Sequence, residues 1–362
     1  NDIGDFYYAP PTGFLALCTK SLPSVDVIPS ENFNTVLYTG GNGSNNTAID
    51  VSGVGFQPDF TWIKRRDGAA SHGLFDAVRG VNKILNSDAS DAEVTNQSDL
   101  LDEFQTDGFG LGVNAGAENV NKGGSTYVAW NWKAGGSASS NSNGSITSSV
   151  SANVDAGFSI ATFTLPTTAQ TIGHGLSKAP ELVIHKGRVS GSAWWTFHKD
   201  IGNTSAVRLD GTNTAGASTN FWNNTSPTST VVTIGANSGG NNSWMMYCFH
   251  SVDGYSKVGS YTGNGSTDGT FVYTGFKPAY VMQKRTDVAN DWDIYDSKRD
   301  TYNVAGKEVY ANSSLAEGSA VRLDLTSNGF KIRASNNALN ASGGTYIYIA
   351  FAENPFKHTN AR

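Results

Sequence analysis

The chain has 362 residues, enough for two or three domains at roughly 100–200 residues each. Charged residues make up 15%, against about 25% in an average soluble domain, and Gly, Asn, Ser and Thr fill the difference. A net charge of −6 offers no cationic surface to nucleic acid, and no apolar run approaches the roughly 18–20 residues of a membrane-spanning helix.

The abundance of turn-forming residues predicts many short strands joined by tight loops. At 11%, the aromatic content is too high for a disordered polar chain. Residues 1–32 form an N-terminal segment unlike the rest of the chain. Within it, Tyr7 to Cys18 predicts a strand and turn, and Pro23 and Pro29 mark a loop. With no Met and no leader-like segment before Asn1, the chain is expected to begin inside a longer product.

From residue 33 the sequence repeats. The first unit, 33–135, carries Gly55-Phe56-Gln57-Pro58, Trp62-Ile63-Lys64-Arg65, Phe75-Asp76 with Arg79, Asp107-Gly108-Phe109, and Gly123-Gly124 before Tyr127-Val128-Ala129-Trp130. A Gly/Ser/Asn-rich stretch, 136–144, reads as an exposed linker. The second unit, 145–256, is divergent: Pro180 precedes an apolar run to Lys186, and Trp194-Trp195-Thr196-Phe197 stands at the Phe-Asp position. The third unit, 257–362, repeats the first with Gly275-Phe276-Lys277-Pro278, Lys284-Arg285, Tyr295-Asp296 with Arg299, Asn328-Gly329-Phe330 and Gly343-Gly344.

The strand signals are physical. Along Pro278 to Lys284 the side chains alternate between two faces. Tyr346 to Phe351 is apolar on both faces, as in a central strand between packed layers. Asp107-Gly108 and Asn328-Gly329 are hairpin turn pairs. Leu100 to Phe104 predicts one short helical turn. The fold class is therefore all-β: tandem antiparallel β-sandwich repeats of jelly-roll or lectin-like form. The short join at 251–257 predicts that units two and three dock against each other.

These motifs resemble repeat modules of tailed-bacteriophage tail-fibre and virion surface proteins, of the marine and cyanobacterial phage type. Ala350 to Phe356 looks like their C-terminal signature, and Tyr8 to Cys18 is similar to the end of a concanavalin-like or SPRY-like domain. The resemblance implies a non-enzymatic structural protein on the virion surface, a tail fibre or receptor-binding appendage. It implies a homo-oligomer, a trimer, touching other virion proteins and a host cell-surface glycan, with no nucleic-acid partner and no membrane insertion. A head fibre or capsid decoration protein is one alternative, and a polysaccharide depolymerase is another.

Trp194, Trp195 and Trp222 are the candidate glycan contacts, because an indole covers a sugar's C–H face while nearby amides reach its hydroxyls. Core packing is the competing role for all three. Since Trp194 and Trp195 are adjacent, one is expected to face a core and the other a surface. Asp76 with Arg79, and Asp296 with Arg299, recur at matching places and predict paired scaffold charges. Asp287, Asp291 and Asp293 are the one acidic group considered for Ca²⁺, but they lack the loop spacing such a site needs. Cys18 and Cys248 read as buried thiols. No His-Glu-x-x-His, Gly-x-Ser-x-Gly or phosphate-binding loop occurs, so neither catalytic residues nor a metal or cofactor is expected. The clusters Lys64-Arg65-Arg66 and Lys284-Arg285 are too short to offset the acidic balance.

Overall fold

The computed structural model describes residues 26–41, 47–95, 100–113, 119–189, 191–217, 221–236 and 242–353. The fold is all-β, as the alternating patterns predict, and its sheets are antiparallel. Among the described residues one short α-helix, Asn337–Asn340, starts where the Asn336 side chain accepts a bond from the Leu339 N–H.

One strand order occurs three times. In the first unit it runs Phe33–Thr39, Thr126–Trp132, Phe60–Arg65, Gly73–Asp76. Phe158–Leu165, Asn242–Phe249, Leu182–Gly187 and Trp195–His198 follow the same order in the second. In the third, Ser256–Thr262, Thr345–Ala352, Pro278–Arg285 and Trp292–Asp296 do so again. The register matches as well. Phe60 lies opposite Asp76 and Trp132, Leu182 opposite His198 and Phe249, and Tyr280 opposite Asp296 and Phe351.

Further strands cover one face of each sheet. They are Ile49–Ser52, Leu101–Gln105 and Gly108–Leu111 in the first unit, and Gln170–Gly173 with Val231–Ile234 in the second. The third unit has Phe271–Tyr273, Gly318–Thr326 and Gly329–Ile332, which Ala305–Tyr310 joins to the main sheet. The hairpin turn is Thr106-Asp107, one residue earlier than the expected Asp107-Gly108, because Gly108 already pairs with Gln105 as the first residue of its strand. Gly108 has φ 151°, and a Cβ there would lie 1.8 Å from the Val51 carbonyl oxygen, so a side chain does not fit.

Alternation along the closing strands divides the core. Tyr127 and Ala129 turn into the first unit's own interior, while Val128, Trp130 and Trp132 turn the other way. Trp244, Met246 and Cys248 line the second interior, while Met245, Tyr247 and Phe249 face out of it. Tyr346, Tyr348 and Ala350 against Ile347, Ile349 and Phe351 repeat the division in the third. The outward sets meet in one core shared by all three units. This is why these strands are apolar on both faces. Burying each large side chain contributes about 1.5–3 kcal/mol. Both ends of the described chain reach this core: Val27 is buried in it, and Phe33 stacks on Phe351 with ring centroids 4.9 Å apart.

Two expectations change. Leu101–Gln105 is a strand and not a helical turn, since it pairs with Gly108–Leu111 across the Thr106-Asp107 turn and buries Leu101 while exposing Asp102. Within 136–144, Ser139–Asn141 is an edge strand paired with Ser148 to Val150, so part of the expected linker belongs to the second sheet. Its polar side chains are largely exposed, which is how an edge strand resembles a loop in sequence. Of 1–32, only 26–32 is described, including the single turn Pro29–Glu31, so the strand and turn expected from Tyr7 to Cys18 lie outside the described residues.

Candidate functional site: the junction of the three units

The buried polar groups gather where the units meet, and they repeat with the fold. Lys64, Lys186 and Lys284 occupy one position in the three sheets. Each side chain runs along the shared core and places its ammonium between two carbonyl oxygens. Lys64 donates to Ala70 at 2.8 Å and, across the junction, to Ser314 of the third unit at 3.0 Å. Lys186 donates to Ser192 at 2.5 Å and to Ser90 of the first unit at 2.8 Å. Lys284 donates to Asn290 and to Thr212 of the second unit, the latter at 3.0 Å. First binds third, second binds first, third binds second, so the pattern closes on itself. Burial pushes all three ammonium groups down to about 8.

Eight residues after each lysine a ring nitrogen repeats the same circuit. His72 Nε2 meets the Tyr310 carbonyl at 2.9 Å, Trp194 Nε1 the Asn86 carbonyl at 2.8 Å, and Trp292 Nε1 the Arg208 carbonyl at 2.7 Å. The His72 Nδ1 accepts from Trp62 Nε1 at 2.8 Å, which leaves Nε2 as the donor. Burial holds the His72 imidazole well below its ordinary value and therefore neutral.

Two of the three seams also carry a charged lock. Between the second and first units, Arg188 forks onto Glu93 at 2.7 and 3.0 Å, and Arg79 reaches the same carboxylate at 3.0 Å. Arg79 also holds Asp76 at 2.5 Å, and the Tyr247 phenol donates to Asp76 at 2.8 Å. Between the first and third units, Arg66 forks onto Glu317 at 2.8 and 2.9 Å, Arg299 joins Glu317 and Asp296, and Trp130 Nε1 donates to Asp296. The repeated Asp–Arg pairs expected from the sequence are thus real and buried, and they sit at unit boundaries. Burial works against the Arg79 charge, but Asp76, Tyr247 and Glu93 outweigh it and raise its pKa. Asp59 makes a further link, accepting from the Ala134 N–H at 2.8 Å and the Gly136 N–H at 3.2 Å.

The three tryptophans part company. Trp194 is buried in the shared core and Trp222 in the second unit's interior, with its Nε1 on the Ser205 carbonyl at 3.0 Å. Neither presents a face to a ligand, which corrects the expectation for both. Trp222 is among turn residues, and it is the turn that folds inward. Trp195 alone is half-buried, with its ring over Phe221 at 3.7 Å between centroids. The adjacent indoles point to opposite faces, but both meet a core: Trp194 the shared one, and Trp195, with Phe221, the second unit's own interior.

Asp287, Asp291 and Asp293 do not converge. Asp287 is forked by Arg285 at 2.8 Å, Asp291 accepts from Asn312 at 2.7 Å, and Asp293 accepts from Gln283 at 2.9 Å. Among the described residues no group of three or more His, Cys, Asp or Glu is placed to hold a metal ion. Cys248 is a buried thiol, raised in pKa by that burial, and Cys18 lies outside the described residues. The His174 Nδ1 accepts from the Leu176 N–H at 3.1 Å and so stabilises its own turn. On the shared axis the core leaves an apolar cavity of about 20 Å³, lined by Trp62, Ile184, Met282 and their neighbours. Outside it, an open cleft of about 500 Å³ in the first unit gathers Asp50, Asp102 and Glu103 around Gly110.

Sequence reasoning missed the lysine circuit. The signal was present in the matching positions of Lys64, Lys186 and Lys284, but the partner carbonyls belong to other units.

A family profile described as domain of unknown function (DUF7483) matches residues 28–355. No curated protein matches the chain. The chain belongs to the DUF7483 family, and the match spans all three units and both locked seams.

Proposed function

We propose that the chain is a non-enzymatic structural protein of a phage virion surface. It serves as a tail fibre or receptor-binding appendage that contacts host glycans. One observation supports this reading most: the buried charged groups at the junction form bonds between units, as Lys64, Lys186 and Lys284 do. Such an arrangement suits a rigid body that displays its surface. Phe33 of the first unit stacks on Phe351 of the third within the shared core, which suits a closed, rigid body. Trp195 is the remaining candidate of the three tryptophans for a glycan contact. Trimerisation, carried from the phage resemblance, adds avidity to weak contacts.

The test is the position of this chain in intact particles, by labelled antibody and electron microscopy. Label on projecting fibres supports the reading. Label only inside the capsid ends it, and label spread over the shell supports capsid decoration. The Asp50, Asp102 and Glu103 cleft favours a second reading, polysaccharide cleavage. Shortening of a host polysaccharide by the purified protein, lost in Asp102→Asn, would favour that reading instead.

A further inference from the structure

The third seam, between the second and third units, lacks the charged lock, and it does so at every equivalent position. His198 stands where the other seams have Asp76 and Asp296. Three residues on, Ile201 replaces Arg79 and Arg299. Ala215 replaces Glu93 and Glu317, as matching backbone bonds show: Glu93 N–H to Arg188, Glu317 N–H to Arg66, Ala215 N–H to Thr286. Thr286 therefore replaces the two forking arginines. Ile349, opposite Met282, replaces Tyr247 and Trp130, which lie opposite Ile184 and Trp62.

What remains is thinner. His198 Nδ1 accepts from the Asp200 N–H at 3.2 Å, so Nε2 donates, and it reaches the Tyr348 carbonyl of the third unit at 3.5 Å. Lys284 and Trp292 still cross this seam, as their counterparts cross the others. Interface energy concentrates in Trp, Tyr and Arg anchors. The two locked seams each have such anchors, and the third has Ile, Thr and Ala in their places.

We infer that the closed circuit of three units opens preferentially at the seam between the second and third. The first unit, locked to both neighbours, keeps them together while the circuit becomes an open C. Opening uncovers His198, Ile201 and Ile349.

Amide hydrogen exchange on the whole chain tests this, because two sets of equivalent amides cross the seams. Ala215 and Asn290 report the third seam, Glu93 and Ser192 the second-to-first seam, and Glu317 and Ala70 the first-to-third seam. Ala215 and Asn290 are expected to exchange at least about tenfold faster than the other four, once corrected for intrinsic rates. Both should respond alike to low urea, which distinguishes seam opening from local fraying. Introducing the missing lock with Ala215→Glu and Thr286→Arg together is expected to slow Asn290 to the rate of Ser192. Removing a lock with Glu93→Ala is expected to speed Ser192 toward the rate of Asn290. Equal rates at all six amides in the unmodified chain, or faster exchange at Ser192 or Ala70, overturn the inference.

Discussion

The Trp130 indole of the first unit donates to the Asp296 carboxylate of the third at 3.0 Å, and Arg299 closes on the same oxygen at 2.5 Å. Tyr247 and Arg79 make the equivalent pair of contacts on Asp76. Trp130→Phe and Tyr247→Phe keep an aromatic ring but remove the donor to a buried carboxylate. Each is expected to lose about 1–3 kcal/mol in urea unfolding. Ile349→Val, at the matching position of the third seam, is expected to lose about 1 kcal/mol.

Lys186→Met is expected to destabilise the chain although it removes a charge that burial disfavours. The Ser90 and Ser192 carbonyl oxygens would both lose their lysine donor. The expected net loss is about 1–3 kcal/mol. Lys64→Met and Lys284→Met should behave alike, since their ammonium groups are placed alike. A thermal shift for one of the three only would contradict the equivalence.

His185 lies inside the second unit between Trp222 and Trp244, and neither ring nitrogen has a hydrogen-bond partner. Burial pushes its imidazole down to about 3. An unfolded chain with an ordinary value near 6.5 takes up the proton first, so stability falls as pH drops from about 6.5 toward about 3. His185→Phe is expected to match the parent at pH 7 and exceed it at pH 5, as measured by thermal denaturation.

Asp293 is raised well above its ordinary value, by burial first and then by Glu308 and Asp291. The Tyr295 hydroxyl lies 3.3 Å from Glu308 and 3.5 Å from Asp293. One hydroxyl proton serves one carboxylate, so a protonated Asp293 completes the chain. Below about pH 4 both folded and unfolded forms hold that proton, and the stability it provides is lost as pH rises through the folded value. Asp293→Asn is expected to equal the parent near pH 4 and to be more stable at pH 8.

Trp195→Ala is expected to weaken retention on host-derived glycan and, since its half-buried ring packs on Phe221, to lower the melting temperature less than Trp222→Ala does. Trp222→Ala is expected to cost about 3–5 kcal/mol, because it empties a buried site. Unchanged glycan retention in Trp195→Ala would remove that residue from the proposed contact.

The sequence carried the local structure further than the assembly. Tyr346 to Phe351, apolar on both faces, was legible as a strand between two layers, and one of those layers proved to be the other units. Asp76 with Arg79 could be paired from their spacing, but Glu93 and Tyr247, which complete that network, follow no local spacing. Trp222 was misleading because Asn and Thr around it describe a turn, while the burial of its ring depends on Phe197 and His185. Ser139–Asn141 was misleading for the opposite reason: an edge strand needs only backbone bonds, and its side chains remain those of a loop.

The central claim is that three units form one body through their common junction, and differential scanning calorimetry of the whole chain tests it most directly. One cooperative transition, with equal van't Hoff and calorimetric enthalpies, is the expected result. Three separate transitions, each of the size of an independent domain of about 100 residues, would contradict it.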